Sequence, residues 1–141
     1  MKKSYNLPCN IAETLNIIGD KWTLLIVRDL LTGVSKFSDL KSSLSGIAPN
    51  ILSDRLRILE EEGLVKTELY SKHPPRLEYE LTKKGQDLKH VLNAIAIWGN
   101  EYLDEKFYEV IDPQCGHEVK PTYYCPICEK VTPSVTYRTF D

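Results

Sequence analysis

Residues 36–82 hold the pattern that most restricts what this chain can become: two short amphipathic helices around a tight turn, then two alternating strands around a stiff loop. In "SKFSDLKSSLSG" the apolar residues Phe37, Leu40 and Leu44 recur at helical spacing, with Ser35 placed as N-cap. This predicts a helix over 36–44, ended by Gly46. Pro49 stands where a first-turn proline belongs, because its missing N–H would be unpaired there anyway. From Pro49 to about Glu62, Leu52, Leu56 and Leu59 make one apolar face, and Gly63 caps the end. "LVKTELY" and "RLEYELT" then alternate apolar and polar residues, as half-buried antiparallel strands do. Pro74-Pro75 stiffens the loop between them.

Around this centre the reading is coarser. Ile11, Leu15 and Ile18 predict a first helix over roughly 9–18. "DKWTLLIVRDLLTG" predicts a second, with Asp20 as N-cap and Gly33 just past its end. Thr82 is placed to cap one long helix, about 83–105, with Leu88, Leu92, Ile95 and Tyr102 on its apolar stripe. Trp22 and Trp98 lie on apolar faces and are expected in the core; His90 is expected to be a solvated polar residue. After Asp112-Pro113 the texture changes to short β-rich stretches with paired cysteines. The expected fold class is therefore mainly α with a small β-hairpin wing, a winged helix-turn-helix domain over 1–105, plus a short β-rich, Cys-rich appendage over 106–141. No internal repeat is legible.

Two helices joined by "SGIA" read as a helix-turn-helix, and the hairpin directly after makes it a winged one. The major groove of B-DNA admits one α-helix. The second helix would enter it while the first braces on the backbone. Fourteen residues at ~1.5 Å each give roughly 21 Å, enough to cross a groove. The outward positions of 49–62 are Asn50, Ser53, Asp54, Arg57 and Glu61, with Arg55 on the flank. Asn can pair two-pronged with adenine and Arg with guanine, and Ser53 with the helix N-terminal amides can meet phosphate. Lys36 stands at the entry to the first helix of the motif. Lys72, His73 and Arg76 at the hairpin tip offer charge to a neighbouring backbone or minor groove. Glu60-Glu61-Glu62 repels phosphate, so only the N-terminal half of the helix can lie close. The competing reading is a winged helix used as a protein-interaction adaptor with a metal-binding tail.

Charge fits the first reading weakly. The formal net charge is −2, but residues 1–100 carry 14 Lys and Arg against 12 Asp and Glu, whereas 101–141 carry 4 against 8. The front can face a polyanion more easily than the tail. At 42% hydrophobic residues the chain can build a modest core, and no apolar run approaches the ~20 residues that span a bilayer. "MKKSYNLPCNIAE" has no apolar signal core, so a cytoplasmic protein is expected. There is no glycine-rich phosphate loop, nucleophile motif or paired-carboxylate arrangement to suggest an enzyme. The C-x-x-C lacks the surrounding βαβ pattern of a redox domain.

The stretch from Cys9 to Gly99 resembles the HxlR-type winged-helix transcriptional regulators. The resemblance rests on "IIGDKWTLLIVRDLL", the F-x-D-L of Phe37–Leu40, the G-I-x-P-x-x-L-S-x-R-L-x-x-L-E-x-x-G-L-V beginning at Gly46, and the P-P-R-x-E-Y-x-L-T-x-x-G beginning at Pro74. It implies a homodimer that binds double-stranded DNA at an inverted-repeat operator. The chain departs from the family pattern at Ala48, usually a hydroxyl residue, which forgoes an N-cap worth ~1 kcal/mol. Asn50 replaces a frequent arginine. Lys72 and His73 make the wing more basic than usual.

The resemblance also places Cys9 where many relatives keep a cysteine, which in some senses electrophiles or oxidants. A helix N-terminus can lower a thiol pKa, and Lys2 and Lys3 could add to that. The alternative is a buried structural thiol. In the tail, Cys115-Gly-His117 followed by Cys125-Pro-Ile-Cys128 resembles half of a zinc ribbon. The expected ligand set for one structural zinc is Cys115, His117, Cys125 and Cys128, with Asp112 a poorer fourth ligand. Reduced surface thiols, or a ribbon that has lost its metal, are the alternatives.

Overall fold

The computed structural model describes residues 4–140. The chain falls into two compact units, one up to Leu92 and one from Asn93 onward.

The first unit holds α1 (Asn10–Ile18), α2 (Thr23–Leu31), α3 (Phe37–Ser43), α4 (Pro49–Glu61), β1 (Val65–Lys72), β2 (Pro75–Leu81) and α5 (Lys83–Gln86). Its core gathers Ile26 and Val27 of α2, Leu40 of α3, and Leu52, Leu56 and Leu59 of α4, all essentially inaccessible. Burying each such Leu or Ile stabilises by roughly 1.5–3 kcal/mol. Leu44 and Ile47 pin the turn between α3 and α4 into this core, and Gly46 turns the chain there with φ +91. Asp20 serves the start of α2 from two residues before its N-cap, Trp22. Its carboxylate accepts from the Trp22 and Thr23 backbone N–H at 3.0 and 3.1 Å and from the Thr23 hydroxyl. Ala48, the N-cap of α4, makes no side-chain cap, as its methyl group requires.

α4 ends where Gly63 takes φ +75 and the Leu64 N–H returns to the Leu59 carbonyl at 2.8 Å. That closure feeds the chain straight into β1. β1 and β2 pair antiparallel, Val65 opposite Leu81 through Lys72 opposite Pro75, with an irregularity between Leu69 and Ser71. Val65 and Leu81 are buried at the base, Thr67 and Tyr79 are half-buried, and Leu69 and Leu77 are exposed. The hairpin thus leaves the core as it lengthens.

The expected single helix over 83–105 is two. α5 ends at Gln86, and α6 (Lys89–Tyr102) begins after a turn at Asp87-Leu88. Leu88 and His90 bond back three residues, to the Gly85 and Asp87 carbonyls, which tightens the chain there. Gly85 is pressed on the Leu64 backbone so closely that a Cβ would lie 2.1 Å from the Leu64 carbonyl oxygen. Thr82 caps α5 as expected, accepting from the Gly85 N–H at 3.2 Å while donating to the Gly63 carbonyl at 2.7 Å.

α6 buries none of its residues. Ile95, Trp98 and Tyr102 are 52%, 62% and 67% exposed, so Trp98 is not the core residue its spacing suggested. Ile11 and Leu15 of α1 are exposed too, whereas Trp22 does pack on the core. His90 is exposed, as expected. The second unit ends in β3 (Tyr123–Cys125) and β4 (Lys130–Thr132), an antiparallel pair. No helix among the described residues is long and apolar enough to cross a membrane.

Candidate nucleic-acid interface

The apolar stripe of α4 faces the core, so its opposite face must face solvent. Asn50, Ser53, Arg57 and Glu61 are exposed there, and Asp54 is half-exposed. Arg57 lies between two carboxylates of its own helix. Its guanidinium donates to Asp54 Oδ1 at 2.6 Å and to Glu61 Oε1 at 2.7 Å. Asp54, then Glu61, push its already high pKa further up. The side chain most suited to reading guanine is therefore fully charged and held in place, with two anions beside it.

Arg55 behaves differently. Its side chain is only 16% exposed, and Nε lies 3.3 Å from Asp20 Oδ2. The outward flank expected from helical spacing is in fact the seam between α4 and the start of α2. Burial pushes the Asp20 carboxyl up, but the Thr23 and Trp22 hydrogen bonds and the Arg55 charge outweigh it and hold it below the ordinary carboxylate range.

The wing is fastened to the helix-turn-helix by the residues that precede α3. Tyr79 N–H donates to the Ser35 carbonyl at 2.8 Å, and Lys36 bridges Glu78 as a short extra strand. Lys36 Nζ also sits 4.8 Å from the centre of the Tyr70 ring. Lys36 is thus engaged with the wing, although it remains exposed. Ser35 is not the N-cap of α3 that its residue type suggested: Lys36 holds that position, without a side-chain cap, and Tyr70 carries no charge that would mark it in the sequence. At the tip, the Ser71 hydroxyl donates to the Pro74 carbonyl at 3.0 Å. Lys72, His73 and Arg76 are exposed, and no ion pair among the described residues engages them. Between α3, α4 and the wing runs a groove lined by Phe37, Ser38, Ser53, Tyr70, Arg76 and Leu77.

Cys9 is the exposed N-cap of α1, so the buried-thiol alternative does not hold. Lys2 and Lys3, invoked as its helpers, lie outside the described residues. In the tail, the Cys128 N–H donates to Cys125 Sγ at 3.5 Å, so these two cysteines stand together. Among the described residues no three His, Cys, Asp or Glu side chains are gathered as a metal would need, so Cys115 and His117 do not join that pair.

A core built on α2, α3 and α4, with the polar face of α4 open to solvent and a hydrogen-bonded basic wing, is the architecture of winged helix-turn-helix transcriptional regulators. Within that class, the HxlR-like helix-turn-helix family model matches residues 17–107, and the chain belongs to this family. It is 38% identical over 127 residues to the uncharacterized HTH-type transcriptional regulator Rv3095 of Mycobacterium tuberculosis, covering 87% of this chain and 80% of the relative. The crystal structure of PA1607, a candidate transcription factor, superposes with a TM-score of 0.76 at 33% identity, over 96% of this chain and 97% of that one. The redox regulator HypR in its oxidized form superposes with a TM-score of 0.62 at 31% identity, over 69% of this chain and 100% of that one. These relatives are transcriptional regulators, not enzymes.

Proposed function

We propose that this regulator acts as a homodimer on an inverted-repeat operator, with α4 in the major groove and the 70–76 wing on the adjoining backbone or minor groove. The observation that carries this reading is the wing: three basic side chains that no ion pair among the described residues engages, on a hairpin fastened to the helix-turn-helix through Ser35 and Lys36. Asn50 and Arg57 are the side chains assigned to base edges, and Ser53, Lys72, His73 and Arg76 to phosphate or sugar. Arg55 is reassigned from DNA contact to the internal joint with Asp20. Glu61 and the acidic end of α4 point to contact by the part of the helix from Pro49 to Arg57.

The dimer is assigned to α1 and α6, each of which leaves an apolar face open to solvent. Facing recognition helices in such a dimer would lie ~34 Å apart, one turn of B-DNA. Cys9, exposed at the start of α1, is the proposed reactive thiol; HypR, a redox regulator, is the relative that favours this second role. Selection of bound sequences from a random duplex pool tests the main reading. It should return two inverted half-sites about ten base pairs apart, with affinity falling steeply as salt rises. An unenriched pool, with no salt-dependent binding, would favour the adaptor reading instead.

A further inference from the structure

The second unit contains a repeat that its residues do not announce. Segments 110–119 and 123–132 are the same hairpin, shifted by thirteen positions. In the second, Tyr123, Tyr124 and Cys125 pair with Thr132, Val131 and Lys130. In the first, the Val119 N–H donates to the Val110 carbonyl, Ile111 bridges Glu118, and the Asp112 N–H donates to the His117 carbonyl. Each hairpin closes on a turn with proline second and cysteine fourth, followed by a residue in the left-handed region: Gly116 at φ +74 and Glu129 at φ +53. Glu129 is the one non-glycine with positive φ among the described residues. The second turn therefore keeps a backbone that its side chain disfavours.

This equivalence assigns positions. Asp112 falls on Cys125, Cys115 on Cys128, and His117 on Lys130. Asp112 and Cys125 are each the half-buried member of an otherwise exposed turn. Each also accepts a backbone N–H from its own turn: Gln114 N–H to Asp112 Oδ1 at 2.9 Å, and Cys128 N–H to Cys125 Sγ at 3.5 Å. Backbone donors of each turn thus hold the side chain of the first turn residue at the mouth of its hairpin.

We propose that the two hairpins are the two halves of one tetrahedral zinc site whose ligands are Asp112, Cys115, Cys125 and Cys128. Three thiolates and one carboxylate are a donor set zinc accepts, and thiolates disfavour magnesium and calcium. His117 is excluded, because its counterpart Lys130 lies beyond the turn, on the returning strand opposite Cys125. Only the Cys125–Cys128 half is gathered in the structure. The site is therefore complete only when the first hairpin closes on the second, and metal affinity is coupled to that ordering.

The test uses the full chain, purified under reducing conditions without added metal, and variants of it. Elemental analysis should find about one zinc per chain, and cobalt(II) in its place should give thiolate charge-transfer and tetrahedral d–d bands. His117→Ala should keep the parent's zinc and cobalt spectrum. Losing even an outer hydrogen-bond partner of a ligand weakens metal affinity about 10- to 100-fold, so Asp112→Ala should cost at least roughly tenfold. Asp112→Cys, which makes the first turn match the second, should restore binding. Zinc lost in His117→Ala but kept in Asp112→Ala would overturn the ligand set. A parent chain that takes up no added zinc or cobalt while its thiols titrate as free, or as a Cys125–Cys128 disulfide, would overturn the site.

Discussion

Arg55 of α4 and Asp20, ahead of α2, form a half-buried ion pair that ties the exposed helix of the motif to the cap of the core helix. One carboxylate therefore serves two elements. Arg55→Met should lower the unfolding midpoint while leaving the sequence preference of DNA binding intact. Arg57→Met should do the reverse. Denaturant melts beside binding titrations separate the two, and a change of preference in Arg55→Met would return that residue to the interface.

The same pair sets an acid response. Asp20 is held below its ordinary pKa in the folded chain. Its contribution is present above the unfolded value of about 3.9 and is lost as pH falls through the lower folded value. Unfolding free energy measured across that acid range should drop less steeply in Asp20→Asn than in the parent. At neutral pH the variant should be the less stable of the two. Parallel curves for the two proteins would contradict this assignment.

Arg57 and Lys72 should fail in different ways. Arg57→Ala should weaken operator binding roughly 5- to 150-fold and relax preference at one base position. Lys72→Ala should weaken all sequences alike and reduce the salt slope by about one unit. Binding isotherms over a salt series, on operator and on scrambled duplex, check both. Identical losses on the two duplexes in Arg57→Ala would remove that residue from base reading.

Ile95 and Trp98 form part of an open apolar face on α6. If that face closes a dimer, Ile95→Glu with Trp98→Glu should sediment as a monomer at micromolar concentration, with the parent's helical content. The parent should sediment at twice the chain mass. A parent that is monomeric and still binds an inverted repeat tightly would sink the dimer.

Gly85 gives a packing prediction. A Cβ there would meet the Leu64 carbonyl oxygen at 2.1 Å, a backbone atom that cannot rotate away. Gly85→Ala should cost about 1–3 kcal/mol by overpacking, although alanine is the better helix former. An unchanged or raised unfolding midpoint would show that the α5 turn can shift freely.

Phe37, Leu40, Leu44 and the Leu52–Leu56–Leu59 face were legible because helical period and burial coincide there. The strands of the wing were legible for the matching reason at period two. What escaped was set across the fold. The break at Asp87-Leu88 follows directly on Gly85, which meets the Leu64 backbone, and no local propensity encodes that contact. Arg55 looked outward on a helical projection because Asp20, its partner, sits on another element. The hairpin repeat was hidden because only Pro113 with Pro126 and Cys115 with Cys128 are identical across it. Its register lies in backbone hydrogen bonds.

The Ser35–Tyr79 hydrogen bond and the Lys36 bridge to Glu78 carry a further consequence. They make helix and wing a single stamp, whose two prongs cannot slide past each other. In the proposed complex, the distance along the duplex between the bases met by α4 and the phosphates met by the wing is thus fixed within each half-site. Any tolerance for operators of unequal length must come from the joint between the two protomers.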